Sequence, residues 1–407
     1  MNQGYQIQWD NDEEVKLVTK YLDKLGYSWN LQIKDPNKNI YEIILSKEGK
    51  NFSLSQASSG EKEIINFLLE IFAFNIKNGL LIVDEPEVHL HPKWQSILIE
   101  LFFDLANVTQ NQFIISTHSA VFINQKTISN VVRVYKNGIT SNVKTIEKDN
   151  TSGTKDLLHI INSHNNEKIF FADKVVLVEG ITDRIFFEKL IGVYSTLFAT
   201  VPEIIEVLEV YGKINLAKYQ QLLQRISVTN FIIADRDYLE DIGSEEVKTL
   251  FQADYSRIEQ QVIKDKKSID GQTLFQQIEQ AIQSENLQTL KELCEYIKSR
   301  KKKLKNNLGT EESRLIEQFV QEKVEENIFI LKVGEIEDYL PDGYKKLEKL
   351  IEFLKDEDYL NFILSPSYCE RRKELTKIIF SILGTQILQD EQVVTSFRDY
   401  QVKSTNR

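Results

Sequence analysis

Cysteine is scarce. Cys294 and Cys369 are the only two in 407 residues, far apart and without partners at zinc-ligand spacing, which leaves no disulfide framework and no structural zinc and fits a reduced compartment. Long apolar runs are missing as well: no stretch of about 18 such residues occurs, so a membrane-spanning helix is excluded. The start, MNQGYQIQWDNDEE, is polar and acidic rather than basic then apolar, and the expected location is therefore cytoplasmic. Positive charge is in deficit. With 50 Lys and Arg against 61 Asp and Glu the net charge is −11, so any polyanion must meet a local basic surface or a metal ion. No segment repeats at a fixed period. The absence with most consequence is Gly-x-x-x-x-Gly-Lys-Ser/Thr, the loop whose amides and lysine hold nucleotide phosphates. Without it the chain alone is not expected to bind ATP tightly or hydrolyse it.

What is present is an α/β pattern in two series. At about 150 residues per domain the length allows two or three domains. Residues 1–56 mix polar segments with short β-rich runs such as 41–45 and read as part of a sheet. A helix then opens at Ser58-Ser59-Gly60, followed by an apolar strand over 80–83, a helix over about 92–107 and a strand over 113–116. That alternation predicts a parallel, buried sheet. The polar stretch 148–155 marks a boundary. A second series has strands over 175–178, 204–211 and 231–234 and helices over 182–191 and 217–225. Between about 239 and 327 charged residues flank Leu, Ile and Phe at three- and four-residue intervals, which predicts a helical insertion. A strand over 329–333 then returns to the sheet, and amphipathic helices fill 343–400.

The strand over 80–83 ends in Asp84 and Glu85. A magnesium-nucleotide site uses such a pair, the first acid for the metal's water shell and the second to polarise water. Ser58, Ser59 and Gly60 open a helix whose free N–H groups and dipole suit a phosphate. The strand over 113–116 delivers His118, placed to sense a terminal phosphate. Each piece alone reads as a capped turn. Together they resemble the distal half of an ABC-type ATPase, with signature motif, Walker B motif and switch histidine, and DEPEVHLHP resembles the form found in the AAA15 and overcoming-lysogenization-defect (OLD) families. His89 and His91 read as turn and packing residues beside Pro92 rather than as metal ligands. The missing phosphate loop departs from the resemblance, since Gly60-Glu61-Lys62 lacks the first glycine and the following hydroxyl. A truncated gene product, a fragment of a longer enzyme and a natural form without the proximal half all fit, and ATP enters only where another polypeptide supplies the loop.

The second series carries acids at strand ends. Glu179-Gly180 follows 175–178 and Asp183 lies in the next helical turn, with Thr182 as its expected N-cap. Gly180 is expected to permit the sharp turn that brings Glu179 to the sheet's carboxyl edge. Asp235-Arg236-Asp237 follows 231–234, and period-two geometry sends both aspartates to one side. Carboxylates gathered at one edge repel unless cations neutralise them, and Mg²⁺ or Mn²⁺ suits oxygen ligands. A surface acid cluster without function is the plain alternative. The pair of motifs resembles the TOPRIM fold, and 177–184 with 211–215 resembles the TOPRIM domain of OLD-family nucleases, whose order of ATPase then TOPRIM is shared by Gabija-type antiphage nucleases.

That resemblance implies metal-dependent cleavage of DNA, with Glu179, Asp183, Asp235 and Asp237 as ligands and Glu179 in proton transfer. Another acid after the strand over 329–333 should complete the second site; Glu335 and Glu337 share a parity and are the candidates, beside the plain reading of an acidic first turn. Lys332 or Lys213 would place positive charge on the phosphate, Lys213 alternatively touching the DNA backbone. The run 298–305, with Arg300, Lys301 and Lys302, is a candidate DNA contact or a solvated helix face; Arg371-Arg372-Lys373 is a shorter rival. No aromatics interleave with these runs, so base stacking is not predicted.

The reading is thus an α/β chain: an incomplete ABC-ATPase-like parallel sheet over 1–165, then a TOPRIM (Rossmann-like) nuclease domain over 170–400 with a helical insertion over about 239–327. DNA is the expected partner, with a homo-oligomer through the ATPase-like part or a partner ATPase or helicase subunit, and no membrane. A topoisomerase or primase is the rival enzyme, yet none of the 16 tyrosines has a strand-passage context. A non-catalytic partner of an intact homologue is the rival of another class.

Overall fold

A computed structural model of the chain describes residues 11–35, 37–38, 40–73, 76–145, 166–253, 271–300, 302–305, 307–344, 346–355 and 358–405. The expected boundary at 148–155 lies outside them. The chain divides into two compact units, Met1–Phe171 and Ala172–Arg407.

Among the described residues of the first unit is a helix, Glu13–Lys24, that strand-like composition nearby had hidden. Asp12 caps it by accepting the Glu14 and Val15 N–H groups at 2.8 and 3.1 Å, and Leu17, Val18, Tyr21 and Leu22 form its buried stripe. An antiparallel sheet follows, β1 (Ser28–Asp35), β2 (Ile40–Lys47) and β3 (Lys50–Ser53). The helices Ser59–Ala73 and Pro92–Thr109 share a core of Leu22, Leu45, Ile64, Ile65, Leu101 and Leu105. β4 (Leu80–Asp84) precedes the second of these helices and β5 (Gln112–Ser116) follows it, and the two strands pair in parallel. This pair buries one face only. Leu80, Ile82 and Ile114 remain 58%, 76% and 55% exposed, which corrects the expectation of a sheet buried on both sides: apolar runs mark a strand, and the neighbouring layers decide how many faces are covered. A hairpin, β6 (Val132–Asn137) and β7 (Thr140–Thr145), follows.

The second unit is built on four parallel strands: β8 (Lys174–Val178), β9 (Ile205–Glu209), β10 (Thr229–Ala234) and the last strand of the chain, Ile328–Ile330. Their spatial order places Ile328–Ile330 beside β10, then β8, then β9. Val175–Val178 are fully buried, as a strand covered on both faces must be. On one face Val176, Val178, Phe231, Ile233 and Phe329 meet Phe186, Phe187, Tyr194, Phe380 and Phe397 from helices Ile181–Phe198, Cys369–Leu383 and Asp390–Thr405. The Tyr194 hydroxyl in that cluster is satisfied, 2.8 Å from the Thr376 hydroxyl. Helix Leu216–Arg225 packs on β10 and β8, and Thr310–Glu325 on the edge strand.

The insertion between β10 and the edge strand is mostly helical, with Gly271–Gln283, Leu287–Arg300 and Thr310–Glu325. It also holds an antiparallel pair, β11 (Phe251–Ala253) and β12 (Lys302–Leu304), so it is not helical throughout. The edge strand, β13 (Ile328–Ile330), is shorter than expected, although Leu331 still donates its N–H to Ala234 at 2.9 Å. Among the described residues no helix is long and apolar enough to cross a membrane.

Candidate active site

β9 lies on one side of β8 and β10 on the other. The winding therefore reverses between β8 and β10, and in open α/β sheets the crevice at the carboxyl ends of such strands receives ligands. Glu179 leaves β8 there and Asp235 leaves β10. The Asp235 backbone N–H favours the ionised form of the Glu179 carboxylate. Its Oε1 is buried with no hydrogen-bond partner among the described residues.

The first turn of the following helix differs in detail from expectation. Gly180, not Thr182, is the N-cap, with φ −142° and ψ −179°, extended backbone open to any residue. Its N–H donates to Asp183 Oδ2 at 2.8 Å, so Asp183 both caps the helix and reaches the acids. The charge of Asp237 reaches Asp235, but strand alternation does not set their directions: β10 ends at Ala234 and Arg236–Tyr238 form a 3-10 turn.

Six acids are neighbours through their fields. Burial pushes Glu179 up to about 7, with Asp237 and Asp183 adding to the rise. Burial likewise lifts Asp183 to about 6, partly offset by the Gly180 N–H and reinforced by Glu337. Asp235 goes highest, to about 8, from burial and then Asp183, Glu179, Asp237 and Glu335. Glu335 and Glu337 flank the start of a 3-10 turn, Ile336–Tyr339, that is fastened to the other motif by the Ile336 N–H donating to Asp235 Oδ1 at 3.1 Å. Among the described residues no three His, Cys, Asp or Glu side chains are drawn tightly enough to cage an ion as they stand. The donor set, hard carboxylate oxygens with one buried oxygen left without a partner, fits Mg²⁺ or Mn²⁺.

The two lysines part company. Lys213 lies within the acids: its ammonium is 3.2 Å from Asp237 and 3.1 Å from Asp241, and it donates to the Asp237 carbonyl at 3.1 Å. Those acids engage Lys213 in place of solvent. The loop presenting it turns at Tyr211 and Gly212, φ 58° and 105°, and the Gly212 N–H holds the Glu179 carbonyl at 3.0 Å. Lys332 follows β13 with its side chain exposed.

Among the basic runs, Arg300 closes the helix Leu287–Arg300 and Lys302 opens β12, while Lys301 lies outside the described residues. Arg372 is no surface contact. It is buried, donating to Asp390 at 2.8 and 2.6 Å and to the Ile363 carbonyl at 2.7 Å. Lys373 pairs with Glu370 at 2.7 Å.

Sequence reasoning missed three supports. Glu209 is buried at the end of β9, takes the Tyr211 hydroxyl at 3.0 Å and lies 3.8 Å from Arg184. Glu374 and Tyr339 bind the segment after β13. No motif or period marks any of them, because each gains its partner only through the tertiary fold.

In the first unit, β4 and β5 bring Asp84, Glu85 and His118 to one edge. The Ser116 hydroxyl donates to Asp84, and His118 Nε2 is 3.4 Å from Glu85 Oε1. Glu85 and His89 take left-handed φ values, 44° and 64°, which fold DEPEVHLHP back on itself. His91 caps the next helix by accepting the Lys93 N–H at 3.2 Å. Ser58 is spent locally: its hydroxyl donates to Glu61 at 2.6 Å and Glu61 accepts the Ser58 N–H at 3.2 Å. Ser59 begins the helix. At Gly60 an added Cβ would fall 2.9 Å from Leu90 Cδ2 and 3.0 Å from the His89 carbonyl, so this glycine is required by close packing against the turn.

Residues 170–237 match the family model for the overcoming lysogenization defect protein-like TOPRIM domain, and residues 8–124 match an AAA domain model. The chain is 27% identical over 365 residues to the Old nuclease of Escherichia phage P2, an alignment covering 85% of this chain and 58% of that protein. It is 34% identical over 116 residues to the OLD nuclease of Thermus scotoductus, 27% of this chain and 22% of that one. To the Endonuclease GajA of Bacillus cereus strain VD045 it is 23% identical over 189 residues, 44% and 32% of the two chains. The chain thus spans less than two thirds of the length of each of these relatives.

Proposed function

We propose that this chain, with an OLD-like TOPRIM domain behind an AAA-type segment, is a Mg²⁺- or Mn²⁺-dependent endonuclease that hydrolyses phosphodiester bonds in DNA, acting in the cytoplasm in antiphage defence. One arrangement carries the reading. Glu179 and Asp235 leave adjacent parallel strands at the switch point, the charge of Glu179 raising Asp235, with Glu179 Oε1 buried and unpartnered among the described residues. On this reading 1–165 is the ATPase-like domain and 170–400 the nuclease domain.

Glu179, Asp183, Asp235 and Asp237 would hold the metal, with Glu335 and Glu337 completing a second position. A bound divalent cation supplies Lewis acidity and charge neutralisation at the phosphoryl oxygens. The chain's own groups do the rest. Glu179 takes up the proton of the attacking water. The water oxygen bonds to phosphorus, the bond from phosphorus to the 3′ oxygen breaks, and that oxygen takes up a proton. Lys332 sets positive charge beside the pentavalent phosphate, while Lys213 offsets the charge of Asp237. Arg300, Lys301 and Lys302 hold DNA phosphates. Ser58, Ser59, Gly60, Asp84, Glu85 and His118 serve a nucleotide only in an assembly, a homo-oligomer or a complex with a partner ATPase or helicase, in which another polypeptide supplies the phosphate loop.

Plasmid DNA incubated with Mn²⁺ and purified protein tests the proposal. Wild type should convert supercoiled plasmid, and Glu179→Ala and Asp235→Ala should each lose on the order of 100-fold or more in rate. Equal conversion by all three proteins would refute it.

A further inference from the structure

The peptide units around Lys332 are gripped from two sides. The Lys332 N–H donates to Glu374 Oε1 at 2.8 Å, and the Lys332 carbonyl accepts from Arg236 Nη1 at 3.1 Å. The other oxygen of Glu374 accepts the Tyr339 hydroxyl at 2.8 Å, and that hydroxyl accepts the Val333 N–H at 3.3 Å. Glu374 therefore closes a ring through Lys332, Val333 and Tyr339. Beyond the ring, the Gly334 carbonyl accepts the Arg236 N–H at 2.9 Å and Asp235 takes the Ile336 N–H.

This is costly construction for a loop. Glu374 lies on Cys369–Leu383, whose neighbouring residues Leu375, Ile378 and Ile379 are core. A carboxylate drawn into such surroundings loses hydration that an aliphatic side chain would not miss. Both of its hydrogen-bonded partners belong to the short stretch that carries Lys332, Glu335 and Glu337. From Lys332 to Glu335 that stretch has no strand or helix of its own, so side-chain hydrogen bonds from outside must fix it.

We infer that Glu374, assisted by Arg236, is a positioning residue: it holds the Lys332 backbone, and with it the place from which Lys332 serves the scissile phosphate. The inference rests on the nuclease reading of the site. Glu374 acts through Lys332 and touches neither substrate nor metal.

The test is steady-state cleavage of a duplex oligonucleotide at saturating Mn²⁺ by wild type, E179A, E374A, E374Q, K332A and the K332A/E374A double variant. E374A should lower kcat about 10- to 100-fold, the usual cost of losing such a support, with KM within about threefold. E374Q keeps an oxygen for the Lys332 N–H and a side-chain amide that can donate to the Tyr339 hydroxyl, and should retain most of the rate. In the K332A background, removing Glu374 should cost about twofold or less, because two residues acting as a unit are not additive. The same loss in both backgrounds, or E374Q as slow as E374A, would overturn the role. So would E374A at the wild-type rate while E179A is inert, which spares the nuclease reading. A wild type that does not cut rejects that reading and this inference with it.

Discussion

At Asp235, burial and four carboxylates act in one direction, lifting it from 3.8 to about 8. A carboxyl raised on folding contributes stability that is complete below its unfolded value and is lost as pH rises through its folded value. Metal-free protein should therefore melt several degrees lower at pH 8 than at pH 5, at roughly 2–4 °C per kcal/mol for a unit of this size. Asp235→Asn should flatten that slope and raise the pH 8 midpoint, whereas Mn²⁺ should raise the wild-type midpoint most at high pH. Thermal scans in chelator and in Mn²⁺ decide it; a metal-free midpoint that climbs with pH would contradict the assignment. Asp235 and Glu179 were legible in the sequence because each directly follows an apolar strand, and strand ends are where open sheets keep their ligands. The engagement of Lys213 by Asp237 and Asp241 was not, because it depends on where a loop with two positive-φ residues lands.

Among elements, the turn after β4 shows how packing can hide inside a motif. Ser58-Ser59-Gly60 reads as phosphate-facing, yet the glycine is where the helix Ser59–Ala73 abuts His89 and Leu90. Gly60→Val should cost about 1–3 kcal/mol by overpacking, seen as a lower urea midpoint with unchanged slope; an unchanged midpoint would mean the turn can move aside. The parallel strands and the helices between them were readable from period and composition. The helix Glu13–Lys24 was overlooked although Asp12 and an i, i+4 apolar stripe mark it, because the neighbouring β-rich runs dominated. The pairing of β11 with β12 was not readable at all: three-residue strands separated by a helical stretch leave no periodic trace. Nor was the open face of β4 and β5, since Leu80, Ile82 and Ile114 look alike whether covered or bare.

For the whole molecule, two units hold two incomplete or complete sets of acids. The second brings six acids to one sheet edge; the first has Asp84, Glu85 and His118 at an edge but no loop to hold phosphates. Millimolar ATP with Mg²⁺ should therefore leave the melting midpoint of the purified chain within about 1 °C, since a ligand stabilises only as far as its concentration exceeds its dissociation constant. Micromolar affinity by calorimetry would reveal a phosphate cradle that the sequence conceals.

The late entry of β13 has a consequence for synthesis. The strand takes its place beside β10 only after everything between Ala234 and Ile328 has been made, and Lys332, Glu335 and Glu337 emerge later still. A chain still on the ribosome, with β8, β9, β10 and the Asp235–Asp237 turn already made, holds four of the six acids and none of the clamp contributed by Cys369–Leu383. An unfinished copy thus lacks the edge strand, Glu335 and Glu337 until the insertion has been made.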